Sequence, residues 1–338
     1  MRLRRTSAPV AAPAAETAHP RRVHVRARAC LLAATLLGVA VGAGACSSDS
    51  SSLAAASSDG GSGVKIDAVG AENEYADVIS QIGGSYVSVS AIMSNPNTDP
   101  HTFEASAQVA QEVSQAQLVV QNGVGYDGFM NTIENAQAAA GRKVIDVQQL
   151  LGLPDSTPNP HLWYKPGTMT SVATAVAEDL SELQPAHAAY FKANAKTFIQ
   201  SLTAWENAIA TFKSTYPGTP VATTEPVADY LLQAMNADNM TPWALQADIM
   251  NGVDPSPQDV ATQRDLFTEH KVKVFLYNQQ VTDSLTESFI QLAQQNGIPV
   301  VGVYETMPTP GYDYQTWMVA EVNALTRAVA DKTSTEHL

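Results

Sequence analysis

The chain has 338 residues, 45% hydrophobic and 15% charged, enough to bury one large core or two ordinary ones. Its formal charge of −14 hides an asymmetry, because residues 1–45 hold seven arginines against the single acid Glu16 and the remainder carries a net −20. A body this acidic repels nucleic acid and anionic lipid, which excludes polyanion binding, and leaves the approach of cations unopposed.

The N-terminal arginines run into the apolar stretch Leu31–Ala45, of signal-peptide length and short for a membrane span, so residues 1–45 are expected to be a signal peptide. Ala43, Gly44 and Ala45 lead directly into Cys46, an arrangement that resembles the lipobox of bacterial lipoproteins, in which the cysteine is lipidated and becomes the first residue. Ala43 stands where leucine is usual, and a plain signal peptide cleaved nearby is the alternative. Cys30 and Cys46 are the only cysteines, which leaves no disulfide or thiolate metal site in the mature body and makes lipid the simplest use of Cys46. Residues 46–63 are small, polar and aperiodic, and are expected to form a flexible linker. The chain is therefore expected on the outer face of the cell membrane, held by its lipid.

From Val64 the pattern alternates strand and helix. VKIDAVGA reads as a buried strand, EYADVISQIGG as a helix ending at glycines and SVSAIM as a second strand, followed by the loop NPNTDPHTFEAS. Helix AQVAQEVSQA, strand QLVVQNG, an amphipathic piece around GFMNTIENAQAA and strand KVIDV complete an α/β lobe over residues 64–184. Such alternation implies a mostly parallel sheet with ligands beyond the carboxyl ends of its strands. His101 lies on one such loop behind Pro100, and Glu104 is placed either to cap the next helix or to bond the imidazole. NPNPHLWYKPG repeats the theme with His161, ahead of helix TMTSVATAVAEDLSEL. Two histidines on proline-stiffened loops suggest a prebuilt cation site. His19, His24, His187, His270 and His337 lack such settings and read as structural or exposed.

Residues 185–216 form the next unit. Phe191, Ala195, Phe198, Leu202, Trp205, Ile209 and Phe212 repeat at alternating steps of four and three, which predicts one helix with a single apolar seam, started by Pro185 and stopped at Tyr216-Pro217-Gly218. At about 1.5 Å per residue it spans roughly 45 Å, more than one small lobe needs, so it reads as a strut between two lobes. A long core helix of one large domain is the plainer alternative.

Over residues 217–338 the alternation resumes with strand TPVATTE, helix PVADYLLQAMN, a variable segment, strand VKVFLYNQQ, helix DSLTESFIQLAQQNG and strand IPVVGVYE. Glu225 and Glu305 end the first and last of these strands, the topological place that the histidines occupy in the first lobe. The aromatic stretch GYDYQTWMVAEVNALTRAV reads as the start of a C-terminal helix packed on the second lobe, or else as a cleft-lining patch. Two neutral imidazoles and two carboxylates carry −2 and suit a divalent Mn, Fe or Zn ion better than Cu(I) or an iron–sulfur cluster.

At these residues, over roughly Val64 to the C-terminus, the chain resembles the zinc- and manganese-type metal-binding lipoproteins that serve ABC importers, some first described as adhesins. DPHTFE, NPHLWYKPG, PAHAAYFKANA with Tyr190 and Asn194, and the order of the last two ligand positions carry the likeness. The resemblance implies two α/β lobes, each with a mostly parallel sheet flanked by helices, joined by one long rigid interdomain helix. It implies one divalent metal held by His101, His161, Glu225 and Glu305, a monomer, and as partners a membrane permease with its ATPase. Glu225 matches the acidic variant of a position that is histidine in many zinc binders, and Glu305 replaces the more usual aspartate. The zinc-selective members often carry a third histidine ligand and a His-rich loop, and this chain has neither. Manganese (or iron, of the same type) is thus expected ahead of zinc, although the same donors hold zinc more tightly by intrinsic affinity. The competing readings are a secreted metal-dependent hydrolase and a surface adhesin without a metal. HExxH, GxSxG and GxxxxGK[ST] are all missing from the chain, so an enzyme is not expected.

Overall fold

The computed structural model describes residues 64–338 apart from 98, 137 and 138, so the signal peptide, Cys46 and the linker expected over residues 1–63 lie outside the described residues. The first sheet is built from β1 (Ile66–Glu72), β2 (Val87–Met93), β3 (Leu118–Gln121) and β4 (Lys143–Asp146), all parallel, in the order β2-β1-β3-β4. β3 is buried along its whole length, as an inner parallel strand covered on both faces should be. At Gly70 a Cβ would stand 2.4 Å from the backbone nitrogen of Ala76, so glycine lets β1 turn tightly into α1 (Asn73–Gly83). That helix ends where expected: Gly84 takes φ 52° and its N–H bonds the Ser80 carbonyl. Helices α2 (Ala107–Gln115), α3 (Gly128–Ala136), α4 (Val147–Leu150) and α5 (Thr168–Leu183) complete this lobe.

The long helix of residues 185–216 is divided. A 3-10 turn at Pro185–His187 leads into α6 (Ala188–Ser201), and α7 (Thr203–Thr215) follows after Leu202. The cause is local: the Ser201 hydroxyl bonds the Phe198 carbonyl (2.6 Å), while the Leu202 N–H reaches the Ile199 carbonyl (3.3 Å) in the tighter i−3 pattern. Leu202 itself keeps helical dihedrals, so the seam continues across the break, and all seven of its apolar side chains are buried. α6 packs against α1 and α5, whereas α7 packs against α8 (Asp229–Ala234) and α12 (Tyr314–Asp331), elements that belong to different sheets.

The second sheet repeats the first in plan. β5 (Pro220–Thr223), β6 (Asp238–Asn239), β7 (Val274–Asn278) and β8 (Val300–Val303) run parallel in the order β6-β5-β7-β8. The variable segment contains β6, α9 (Trp243–Met250) and α10 (Pro257–Thr268), and α11 (Ser284–Gln295) fills the β7–β8 crossover. β6 pairs over only two residues of polar sequence, which leaves periodicity nothing to detect. α12 opens with a capping box at Asp313 and Thr316 and buries Tyr314 and Trp317, which makes the aromatic stretch a helix start. One continuous apolar core includes Ile66 and Leu118 of the first sheet, the seam from Phe191 to Phe212 on α6 and α7, Leu276 of the second sheet and Trp317 of α12. In both sheets the strand order reverses beside the first strand, and at such switch points the loops after neighbouring strands diverge and leave a crevice.

Candidate metal centre

Both histidines are set by the same local device. In Asp99-Pro100-His101 and Asn159-Pro160-His161 the first side chain accepts a hydrogen bond from the backbone N–H of the histidine two residues on, at 2.8 Å from Asp99 Oδ1 and 3.0 Å from Asn159 Oδ1. Proline between them restricts the turn further. His161 is wholly buried, with Trp163 and Tyr126 edge-on to its ring; His101 is half-buried, with Tyr126 at 5.1 Å between ring centres.

Glu305 lies where the two loops converge. Its Oε2 is 3.1 Å from His101 Nε2 and 3.1 Å from His161 Nε2, and accepts the Tyr126 hydroxyl at 2.9 Å. Ligand atoms of His101, His161 and Glu305 all lie within 4.8 Å of one another. The other oxygen, Oε1, accepts from Asn278 Nδ2 at 2.5 Å, and the same amide donates at 3.2 Å to Oε1 of Glu225. Glu225 is buried beside this trio, and its Oε2 has no hydrogen-bond partner among the described residues. Glu225 and Glu305 each lie two residues beyond their strand, β5 and β8, and Asn278 ends β7, so the second lobe contributes from its carboxyl edge as expected.

The hydrogen-bond pattern assigns the tautomer of His161. Asn159 Nδ2 donates to the Pro226 carbonyl (2.8 Å), so its Oδ1 must face His161, where it meets Nδ1 at 2.8 Å. Nδ1 therefore carries the proton, and the lone pair of Nε2 points at a carboxylate oxygen. Two acceptors at 3.1 Å repel unless a proton or a metal cation lies between them, which is the electrostatic signature of a cation site. No lysine or arginine pairs with Glu225 or Glu305 among the described residues.

Burial and charge compete at each group. Burial alone would raise the Glu305 carboxyl, but His101 first, and then the positive charge that either imidazole carries when protonated, outweigh it and hold this group far below the usual carboxylate range. Burial lowers His161, and the opposing pull of Glu305 does not restore it; on the less buried His101 burial is outweighed by Glu305 and the net shift is upward. Glu225 is pushed well up, first by burial and then by the charge of Glu305. A divalent cation would reverse that last effect by supplying the missing counter-charge.

Of the residues singled out in the sequence, His101, His161 and Glu305 are brought together, with Glu225 adjoining through Asn278. Glu104 is exposed and makes no hydrogen bond to His101 among the described residues; Ser106 caps α2 instead, and Asp99 holds the His101 backbone. Tyr126, Asn159 and Asn278 were not anticipated. Only Asn159 had a local signal, the Asn-Pro-His spacing that repeats Asp-Pro-His.

Two sheets meeting at a buried seam, with two imidazoles from one side and two carboxylates from the other, define a two-lobed binding protein suited to a small cation. The chain belongs to the family described as zinc-uptake complex component A, periplasmic, whose model matches residues 69–328. It is 25% identical over 268 residues to the metal ABC transporter substrate-binding lipoprotein ScbA of Streptococcus cristatus, covering 75% of this chain and 83% of the relative. Against the manganese ABC transporter substrate-binding lipoprotein scaA of Streptococcus gordonii the identity is 26% over 233 residues, with 65% and 73% covered. Among solved structures, FpvC of Pseudomonas aeruginosa in complex with Mn2+ shares the fold with a TM-score of 0.64 at 21% identity, covering 80% of this chain and 99% of that one; it has also been solved with Ni2+. The family consists of substrate-binding transport proteins, so the chain is a binding protein and not an enzyme. Among the described residues no helix is long and apolar enough to cross a membrane.

Proposed function

We propose that this protein is the extracytoplasmic receptor of a divalent-metal ABC importer, which captures the ion between His101, His161, Glu225 and Glu305 and passes it to a permease driven by an ATPase. The observation that carries the reading is the convergence of two imidazole Nε2 atoms on one buried carboxylate oxygen, each at 3.1 Å, with no basic side chain to satisfy it. Neutral imidazoles with two ionised carboxylates balance a 2+ charge, and nitrogen and oxygen donors without thiolate favour Mn2+, Fe2+ or Zn2+. Manganese is the proposed cargo, supported by the two-carboxylate donor set and by the manganese named for scaA and FpvC; zinc is the competitor that the same donors would hold more tightly. The protein is proposed to act as a monomer tethered to the membrane through lipid on Cys46, in keeping with the lipoproteins it resembles.

Elemental mass spectrometry of the chain purified without chelator tests this directly, followed by competition between Mn2+ and Zn2+ on stripped protein. About one equivalent of metal is expected in wild type. His101→Ala and His161→Ala are each expected to lower affinity by about tenfold or more with the circular dichroism spectrum unchanged. No metal in wild type, or unaltered affinity in both variants, would remove the site.

A further inference from the structure

The seam covers three of the four groups: His161, Glu225 and Glu305 are each no more than 2% exposed, while the His101 side chain keeps 21%. An ion held by all four is released when the first-lobe loops part from the strand ends of the second lobe and the shared hold is broken. Two buried asparagines of the first lobe bridge that gap beside the carboxylates. Asn73, the first residue of α1, donates through Nδ2 to the Met307 carbonyl (2.8 Å) and accepts the Met307 N–H on Oδ1 (3.0 Å), the reciprocal pair that two peptides make in a sheet. Asn159 donates through Nδ2 to the Pro226 carbonyl (2.8 Å), while Tyr230 of the second lobe donates to the Asn159 carbonyl (2.9 Å). Pro226 follows Glu225 directly, and Met307 is two residues past Glu305, so each carboxylate has its own backbone pinned to the opposite lobe.

We propose that Asn73 and Asn159 form a two-point latch across the seam that sets how long the ion is retained, an inference that rests on the metal-receptor reading above. The chemistry suits that task. Carboxamides are uncharged, so their bonds to backbone do not compete with the ion for the carboxylates and do not change with the charge the ion brings. Their side chains are short, so a small separation of the lobes breaks three direct bonds together. Asn159 has a second duty, because the Oδ1 that orders its turn also holds His161 Nδ1, so loosening the latch also frees the imidazole from its orientation. Neither residue touches the ion; both are positioning residues.

The test is the release of Mn2+ and of Zn2+ from the full chain in detergent to excess EDTA, followed by stopped flow, for wild type, Asn73→Ala, Asn159→Ala and the double variant. Each single variant is expected to release about tenfold faster or more, and the double variant faster still, with the circular dichroism spectrum of the metal-free protein that of wild type. Asn159→Asp separates the two duties. It keeps the acceptor for His161 but sets an oxygen against the Pro226 carbonyl, and its added negative charge would by itself slow release; faster release from this variant therefore isolates the interlobe bond. Asn73→Asp applies the same test at Met307 without truncating the side chain. Tight wild-type binding with release rates unchanged in all variants overturns the latch alone. A wild-type protein that binds neither metal overturns both the latch and the receptor reading.

Discussion

Glu305 and Glu321 lie in the same seam, both buried to within 2% of complete, and are held in opposite states. Glu305 faces two imidazoles, a tyrosine hydroxyl and an amide, and stays ionised. Glu321, on α12, receives neutral donors, among them Tyr164 Oη at 3.2 Å and Trp317 Nε1 at 3.0 Å on one oxygen. Burial pushes Glu321 up to about 8, against hydrogen bonds from Trp317, Tyr164 and the Tyr304 backbone. Depth is the same at both ends, so depth does not make the centre. What distinguishes the proposed centre is the pair of histidine loops, which would supply lone pairs for a cation at one end and are missing at the other.

The largest expected effect follows from removing that distinction. Glu305→Gln should lower metal affinity by about a hundredfold or more, beyond the range of outer contacts, whereas Glu321→Gln should leave it within about twofold. Isothermal titration calorimetry on both variants decides the matter, and equal losses would break the comparison.

A smaller but broader effect is expected with pH. The proposed metal binding would need both imidazoles neutral, so affinity should fall as pH drops through the histidine range, about 6.5 for an ordinary imidazole. The metal-free protein feels the two rings differently. His101, with its pKa raised by Glu305 against burial, contributes stability present below the unfolded value and lost as pH rises through its folded one. His161, lowered by burial, costs stability as pH falls below the unfolded value, because only the unfolded chain then takes up the proton readily. The rise in melting temperature caused by metal is therefore expected to shrink between pH 8 and pH 5; a constant rise would mean that the histidines are not involved.

At the other end the sign is that of a buried acid kept neutral. Glu321 binds its proton more tightly folded than unfolded, so its stabilising contribution is whole at low pH and is lost as pH rises from the ordinary carboxyl value toward about 8. Glu321→Gln keeps the acceptor for Tyr164 and Trp317 and removes that dependence. It should melt a few degrees above wild type at pH 8, with the gap closing near pH 5, as read by calorimetry. The smallest effect expected is at Glu104: Glu104→Ala should change affinity by less than about twofold, since an exposed side chain away from the cluster has nothing to transmit.

Much of this molecule is legible in short stretches of chain. Alternating strand and helix patterns announce two parallel sheets, and the four-three spacing from Phe191 to Phe212 marks a helical seam whose apolar residues are all buried. The Asp-Pro-His and Asn-Pro-His turns display their histidines because proline and a side-chain acceptor act within three residues. The break at Leu202 escaped that reading, since the seam runs through it unchanged and only the Ser201 hydroxyl marks it.

What only the tertiary structure decides is which groups meet. His161 and Glu305 touch across 144 residues of chain, and Asn73 reaches Met307 across 234. No local period encodes such encounters; they follow from how two sheets and a divided strut bring their loops to one seam. There Glu305 took the central place between the histidines, Glu225 adjoined it through Asn278, and Glu104 was left in solvent. Turn chemistry and periodicity act over a few residues and so can be read along the chain, whereas the charge balance of a buried centre depends on every group packed around it.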